Sequence, residues 1–428
     1  MIWRWVYGAA TYLLAPPVFA YFFWRGRAEA AYRRHWRERL GFAEPRDGRP
    51  LWVHAASVGE VILVAPLVEA LIECHPDYRV LLTTFTPTGR DEARRRLGDR
   101  VDLAYLPLDT PDATRRFFRR TRPIIGVLAE TELWPNLVAA AERAGVPLAL
   151  VNASLSARSA ARYRQWPVAL AARFMLARFA LIAAAEPVHA ERFIAAGAPA
   201  DVVEVVGNLK YDRADNARAR SAALALRQRW QAVRRPVWLA ASTHAPEEAR
   251  LLDAFAMLRA RHPNLLWILA PRHPQRFDTV ERLLQDSRWR YVRRSLGEAV
   301  DTHTDIVLAD TLGELDLFYG LADVAFVGGS LTSRIGGHNV IEPAAAACVF
   351  VTGSDIAAWR EAMTPMIEAG GAAIARDATE VAWLSMGWLN DETNRRLAGQ
   401  RLAGIAASHR GALARTSERI GTLLAARE

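Results

Sequence analysis

Several polar strings combine residue types that do acid–base or anion chemistry, and each directly follows a short apolar, β-branched run. The first, His54-Ala-Ala-Ser57-Val-Gly59-Glu60, opens an apolar-periodic segment. Ser57 or Gly59 can cap a helix there and Glu60 can complement its dipole. A carboxylate at a strand end is equally placed to take the proton of a substrate hydroxyl. The second string, Thr83-Thr84-Phe85-Thr86-Pro87-Thr88-Gly89-Arg90, is a hydroxyl-rich turn. The third, Glu130-Thr131-Glu132-Leu133-Trp134-Pro135-Asn136, packs two carboxylates, a Trp and an Asn into seven residues, which loop chemistry alone does not ask for. Asn152 to Ser159, with Arg158, adds further donors. Gly207-Asn208-Leu209-Lys210 carries the single Lys among 55 basic residues, a compact ammonium where Arg serves everywhere else.

The second half offers Ser242-Thr243-His244 and then Pro271-Arg272-His273-Pro274, an Arg and a His held between two prolines as an anion clamp would hold them. Gly328-Gly329-Ser330 and Gly336-Gly337-His338-Asn339-Val-Ile-Glu342-Pro343 come next in the chain. Paired glycines let peptide N–H groups approach a phosphate or carboxylate, a helix starting near Asn339 adds its positive end, and Glu342 is placed for ribose hydroxyls. Neither G-x-x-x-x-G-K-[ST] nor a strand-borne G-x-G-x-x-G is present, so P-loop hydrolysis and hydride transfer lose their main support. Two Cys without C-x-x-C, and no His cluster, leave no disulfide framework, no metal site and no implied cofactor. The chain is basic, with a formal charge of +9, yet carries no nucleic-acid recognition motif, and no nucleic-acid partner is expected.

Strings of this kind need strands to present them. From residue 50 the chain alternates apolar runs with helical stretches, the pattern of parallel sheets covered on both faces. The expected strands are 51–55, 80–84, 101–106, 124–129, 148–152, 181–184 and 202–206, then 237–241, 265–270, 306–308, 324–327 and 349–352. The hinge is placed at Gly207 to Asp215, and Asp391 onward reads as helix. Two facing doubly wound Rossmann-like domains would put these loops at a shared cleft.

The N-terminus differs. Trp5 to Trp24 is a 20-residue run without charge, about one hydrocarbon thickness as a helix. Pro16-Pro17 would kink it, so a half-inserted anchor competes with a span, and a cleaved signal peptide is the lesser reading. Six Arg between Arg25 and Arg39, against Glu29 and Glu38, place this flank and the rest of the chain after it on the cytoplasmic side. They suit anionic lipid, although a plain solvated face is the bland reading.

Taken together and in this order, these strings resemble the Kdo transferases of lipid A biosynthesis over nearly the whole chain, Glu130 to Asn136 and Gly336 to Asn339 being the most specific. The resemblance implies a GT-B glycosyltransferase on the cytoplasmic face of the bacterial inner membrane. It would move 3-deoxy-D-manno-oct-2-ulosonic acid (Kdo) from CMP-Kdo to lipid IVA in lipopolysaccharide biosynthesis, with inversion and without a metal. Its organisation would be an anchor and basic helix over 1–40, an acceptor-side domain over 41–210, a nucleotide-sugar domain over 211–390 and a C-terminal helix over 391–428. Glu60 corresponds to the base, and the second essential acid is Glu130 or Glu132. Donor contacts map onto Ser242, Thr243, Arg272, His273, Gly336, Gly337, His338, Asn339 and Glu342, with Lys210 as a candidate partner of the Kdo carboxylate. Acceptor contacts map onto Ser57, Gly59, Thr86 and Arg158. The loop 328–336 is one residue longer than the family pattern, Val340 replaces a usual Pro, and Gly353-Ser354-Asp355 lacks the family's Pro and Asn-Phe. Rival readings are another nucleotide-sugar transferase with a lipid acceptor, and a non-catalytic membrane-tethered glycolipid-binding protein.

Overall fold

The computed structural model describes residues 2–27, 29–44, 48–213, 217–332, 335–356 and 359–427. The chain forms two units, Met1–Asp212 with Arg410–Glu428, and Arg213–His409. In the first, β1 (Leu51–His54), β2 (Val80–Thr84), β3 (Val101–Tyr105), β4 (Ile125–Ala129), β5 (Leu148–Ala153), β6 (Phe179–Ala184) and β7 (Val203–Val205) make one sheet of order β3-β2-β1-β4-β5-β6-β7. In the second, β8 (Val237–Thr243), β9 (Leu266–Pro271), β10 (Tyr291–Arg293), β11 (Ile306–Leu308), β12 (Val324–Val327), β13 (Val349–Gly353) and β14 (Ala372–Ala375) are ordered β10-β11-β9-β8-β12-β13-β14. Both sheets are parallel throughout. The central strands are continuous apolar runs because both faces are covered: every residue of β1, β2, β4 and β12 is buried.

Strand order decides where ligands can enter. In the first sheet the chain builds outward from β1 through β3, then returns to β4 on the other flank of β1. Right-handed crossovers then send the loops after β1 and β4 to opposite faces, and a crevice opens between them. The second sheet repeats this at β8 and β12. The strings after these four strands are His54–Glu60, Glu130–Asn136, Ser242–His244 and Gly328–Glu342.

The N-terminal run is one helix, Ile2–Arg25, continuing through Pro16 and Pro17 instead of breaking there. Both prolines lie on its exposed side, where lost backbone bonds leave the docked face intact. That face lies along the first unit. Trp3 meets Phe174 edge-on, Tyr7 donates to Asp109 (2.9 Å), Tyr12 donates to Asp112 (2.8 Å), and Phe22 packs on Phe85 beneath the buried Arg39. Trp5, Leu13, Leu14, Phe23 and Trp24 remain exposed.

The C-terminal segment is two helices in place of the one expected. Glu392–Ser408 belongs to the second unit and Ala412–Ala425 to the first. The break falls at Gly411, whose φ of 89° a side chain would disfavour, and whose N–H goes to Asp212. Ala412, Ile420 and Leu424 complete the core around Leu51 and Val53. Two strands escaped the reading, β10 and β14. Residues 214–215 of the hinge segment lie outside the described residues, as do 333–334 of the long glycine loop.

Candidate functional site

In the first unit the helix Val58–Cys74 starts at Ser57, whose Oγ accepts the Glu60 N–H, and Glu60 folds back over the turn. Glu60 Oε2 accepts the Ala56 N–H (2.8 Å) and Oε1 accepts the Ser57 hydroxyl (2.9 Å). Glu60 thus folds back one residue beyond the N-cap, a variant of the capping box that takes the Ala56 N–H in place of the Ser57 N–H, and this fixes the carboxylate at the β1 end. Burial pushes this carboxyl above its ordinary range, the Ala56 N–H draws it back, and the charge of Glu132 adds to the rise. Thr86 caps the next helix through the Gly89 N–H (3.1 Å) and donates to Ala56 O (3.4 Å), tying the second loop to the first. It therefore positions the Glu60 loop by contacts within the chain. Gly89 permits this, since a Cβ there would lie 3.0 Å from Thr86 Oγ1 and 3.3 Å from the Ser57 carbonyl carbon.

β4 delivers Glu130 and Glu132 to different partners. Glu130 has a left-handed φ of 56°, a strained turn that sends its carboxylate to Lys210 Nζ at 3.2 Å. Glu132 accepts the Trp134 indole N–H (2.7 Å) and lies 3.5 Å from Nε2 of the fully buried His54. Burial works against ionisation of Glu132, but His54 and the indole outweigh it and hold the carboxyl below its ordinary range. His54 is fixed in turn through Nδ1 at Thr83 (3.0 Å). Two neighbouring carboxylates thus have their affinities for a proton driven apart, the usual mark of divided acid–base roles.

Asn136 is a scaffold residue. Its side chain donates to Asp109 O (2.6 Å), while the Asp109 carboxylate accepts the Asn136 and Leu137 N–H groups that start the helix Pro135–Arg143. Burial lifts Asp109 to about 7. Asn152, at φ 50°, accepts the Leu209 N–H (2.9 Å) and so seats the turn bearing Lys210. Arg158 is exposed on the helix Ala157–Tyr163.

The second unit is built with opposite charge. Arg272 and His273 are exposed after β9, the Arg272 N–H bonding Thr243 O (3.0 Å). His273 stands edge-on to His244 at 5.0 Å, and His244 Nε2 meets His338 Nε2 at 2.8 Å. Burial and the neighbouring cations lower all three imidazoles, His338 to about 3, with His244 as its largest charged neighbour. Asn339 bonds Glu342 (3.1 Å) and accepts the Ile341 N–H (3.0 Å). Ser242 takes φ 53°, and Thr243 donates to the buried Glu248 (3.1 Å), itself held by Arg276.

The glycine loops depart from expectation. Their N–H groups are largely spent inside the chain. The fully buried Glu247 accepts from His244, Gly329, Ser330 and Leu331 at 2.8–3.0 Å, Asp355 accepts from Ile335 and Gly336, and Gly337 donates to Gly329 O. The glycines answer to backbone and space: Gly329, Gly336 and Gly337 have φ of 67–87°, and a Cβ on Gly328 would come within 2.8 Å of Ser242 O. The helix after the loop is only Ile341–Ala345. Glu247 and Asp355 are thus the loop's architects, as Asp109 and His54 are in the first unit, and sequence reading assigned no role to any of these four. The spacing that could have found Glu247 is a carboxylate one turn beyond His244, after a proline.

A family profile described as 3-deoxy-D-manno-octulosonic-acid transferase (kdotransferase) matches residues 34–213. The chain is 36% identical to the 3-deoxy-D-manno-octulosonic acid transferase of Haemophilus influenzae over 97% of each chain. It is 39% identical to that of Bordetella pertussis, over 96% of this chain and 97% of the relative. In fold it is similar to UDP-GlcNAc 2-epimerase from Neisseria meningitidis bound to UDP-GlcNAc, with a TM-score of 0.56 at 14% identity over 88% of this chain and 99% of that one. Full-length likeness at this identity, with the family's strings at the switch points of both sheets, makes the chain a member of the 3-deoxy-D-manno-octulosonic acid transferase family, glycosyltransferases of GT-B fold.

Proposed function

We propose that the protein transfers Kdo from CMP-Kdo to lipid IVA with inversion, at the cytoplasmic face of the inner membrane. The observation that carries the reading is the pair Glu60 and Glu132, one carboxyl raised and the other lowered, at the β1/β4 switch point inside the family-matched segment. Glu60, drawn toward working pH, takes the proton of the acceptor hydroxyl as it attacks C2 of Kdo. Glu132 stays anionic and is the better supported second acid, because Glu130 is engaged by Lys210. Lys210 is accordingly read as the counter-ion of Glu130, in place of the Kdo carboxylate's partner.

CMP departs as a phosphate monoester. Arg272 is an exposed cation whose charge acts on all three imidazoles, and it takes the leaving phosphate, its attraction growing as the bond breaks. His273 and His338 add donors, and Glu342 with Asn339 suits the ribose. Gly59 supports an approaching acceptor. Neither φ nor packing requires glycine there, since a Cβ would meet only Ser57 Oγ at 3.9 Å.

The helix Ile2–Arg25 is read as lying in the membrane interface. Its docked residues run from Trp3 to Phe22, about 28 Å at helical rise. A span would draw Asp109 and Asp112 toward hydrocarbon, where carboxylates are costly. Its exposed Trp and Leu face instead suits the headgroup boundary. The test is direct: incubate the full-length protein with CMP-Kdo and lipid IVA, and measure CMP release and the anomeric configuration of the lipid product. CMP release dependent on lipid IVA, with an inverted product, is expected. Turnover only with a different nucleotide sugar would overturn the reading.

A further inference from the structure

Beyond both sets of loops, a groove of about 490 Å³ opens on the first unit, lined by Arg49, Arg115, Arg119, Arg122 and Arg143 over a floor that includes Phe118. Arg115, Arg119 and Arg122 recur at i, i+4 and i+7 along and just past the helix Pro111–Thr121, so they share one face. Arg143 reaches the same groove from the end of the helix Pro135–Arg143, and Arg49 from the segment before β1. Among the described residues none of these five guanidinium groups has a carboxylate partner or a side-chain hydrogen bond. Arginines around them are satisfied: Arg116 pairs with Asp112, Arg178 with Glu142, and Arg120 donates to Ala43 O.

Five like charges around one concavity repel one another, and ordinary surface design would intersperse carboxylates. A multiply charged anion removes the repulsion, and forked guanidinium donors match phosphate oxygens. The N-terminal half of the helix Ile2–Arg25 flanks the groove. Arg4 is close enough to Arg143, and Tyr12 to Arg115, for their charges to act on one another. We propose that this groove binds a phosphate ester, and that its source is the headgroup of an anionic membrane lipid. The exposed Trp5, Leu13 and Leu14 of the helix would enter the interface while the groove takes the phosphate above it. None of its lining residues belongs to the acid pair or to the imidazole cluster. It rests on the proposed function only in requiring that the helix meet a membrane.

The experiment is vesicle flotation of the full-length protein on phosphatidylcholine alone and on phosphatidylcholine with phosphatidic acid. The wild-type chain binds the acidic vesicles more tightly. The combined change Arg115→Ala, Arg119→Ala and Arg143→Ala reduces that increment by roughly tenfold or more, while binding to neutral vesicles is kept. A matched control, Arg250→Ala, Arg261→Ala and Arg396→Ala, leaves it unchanged. All six side chains are exposed, and a thermal melt confirms equal folding. Lys at the three groove positions restores only part of the increment, because the fork is lost. Equal loss in the control, full rescue by Lys, or an increment indifferent to the groove overturns the site. Inorganic phosphate, titrated by ³¹P NMR, separates the sources: groove-dependent binding of free phosphate as tight as that of the vesicle overturns the lipid assignment. Groove-dependent capture of a short oligonucleotide in preference to acidic vesicles overturns it as well. Absence of binding to any vesicle defeats the membrane reading, and the lipid source with it.

Discussion

The two sheets place their working loops by one rule and fill them with opposite chemistry. At the β1/β4 switch point the first unit gathers Glu60, Glu130 and Glu132. After β8, β9 and β12 the second gathers His244, Arg272, His273 and His338. In both, the residues that hold the loops are buried and carry charges or dipoles of their own: His54 behind Glu132, and Glu247 behind Gly329 to Leu331. Topology therefore fixes where a loop can act, and the buried partner fixes the charge it can sustain. A transferase needs both signs, a base for the incoming hydroxyl and cations for the departing phosphate.

The sharpest way to break the comparison is Glu60→Gln. It keeps the cap, since Gln still accepts the Ala56 N–H, so the melting temperature should hold while kcat falls by about 10² to 10⁴, the usual worth of a general base. Near-normal turnover in a single-turnover assay would reduce Glu60 to a helix cap.

Glu247→Ala attacks the other side through the scaffold. It strands four N–H groups around a fully buried site, and buried unsatisfied donors cost about 1–3 kcal/mol each before relaxation. A loss of several degrees in melting temperature and a raised donor KM are expected, with Glu247→Gln intermediate. Melts and donor kinetics unchanged in the Ala variant would show that the loop holds itself.

Much of this arrangement was legible beforehand. Central strands announce themselves as unbroken apolar runs, and β2, β11 and β12 carry the bounds read from the sequence. β10 and β14 did not: they are three- and four-residue edge strands, only partly buried, β10 ending in a charge and β14 being three-quarters alanine, with a single β-branched residue to mark it as a strand. The polar strings were legible too, since their composition exceeded what turns require. Their division of labour was not, because it depends on which side chain is buried behind which loop. Glycines illustrate the limit. Gly329 and Gly336 read as amides offered to an anion, yet the buried Glu247 and the Asp355 carboxylate take those amides, and the residue type is set by φ.

A smaller effect tests the coupling within the acid pair. Glu132→Gln removes the like charge that helps raise Glu60, so Glu60 should ionise at lower pH and the acid limb of kcat/KM should move down. An unmoved limb would uncouple the pair. In the second unit the linkage runs through His338, held near 3 when folded and near its ordinary 6.5 when unfolded. Between those values the unfolded chain binds the additional proton, so stability is full above about 6.5 and lost progressively as pH falls toward 3. His338→Gln should flatten that part of the stability–pH curve, read by thermal melts in both variants.

The smallest expected effect asks whether the first unit's acids depend on the N-terminal helix. Tyr7 of that helix donates to Asp109, and Asp109 holds the start of the helix that follows Glu130, Glu132 and Trp134. Tyr7→Phe deletes one hydrogen bond to this carboxylate and should cost about 1 kcal/mol. It also has a signature in pH. Asp109 is raised to about 7 in the fold against an ordinary carboxylate when unfolded, so its contribution is full in acid and fades as pH rises through about 7. The Tyr7 hydroxyl favours the ionised form, and without it that fading should move to higher pH. A melting-temperature profile shifted this way, with Glu60-dependent turnover slightly reduced, would tie the helix to the catalytic loop through Asp109. An identical profile in Tyr7→Phe would show the helix to be a passenger on the first unit.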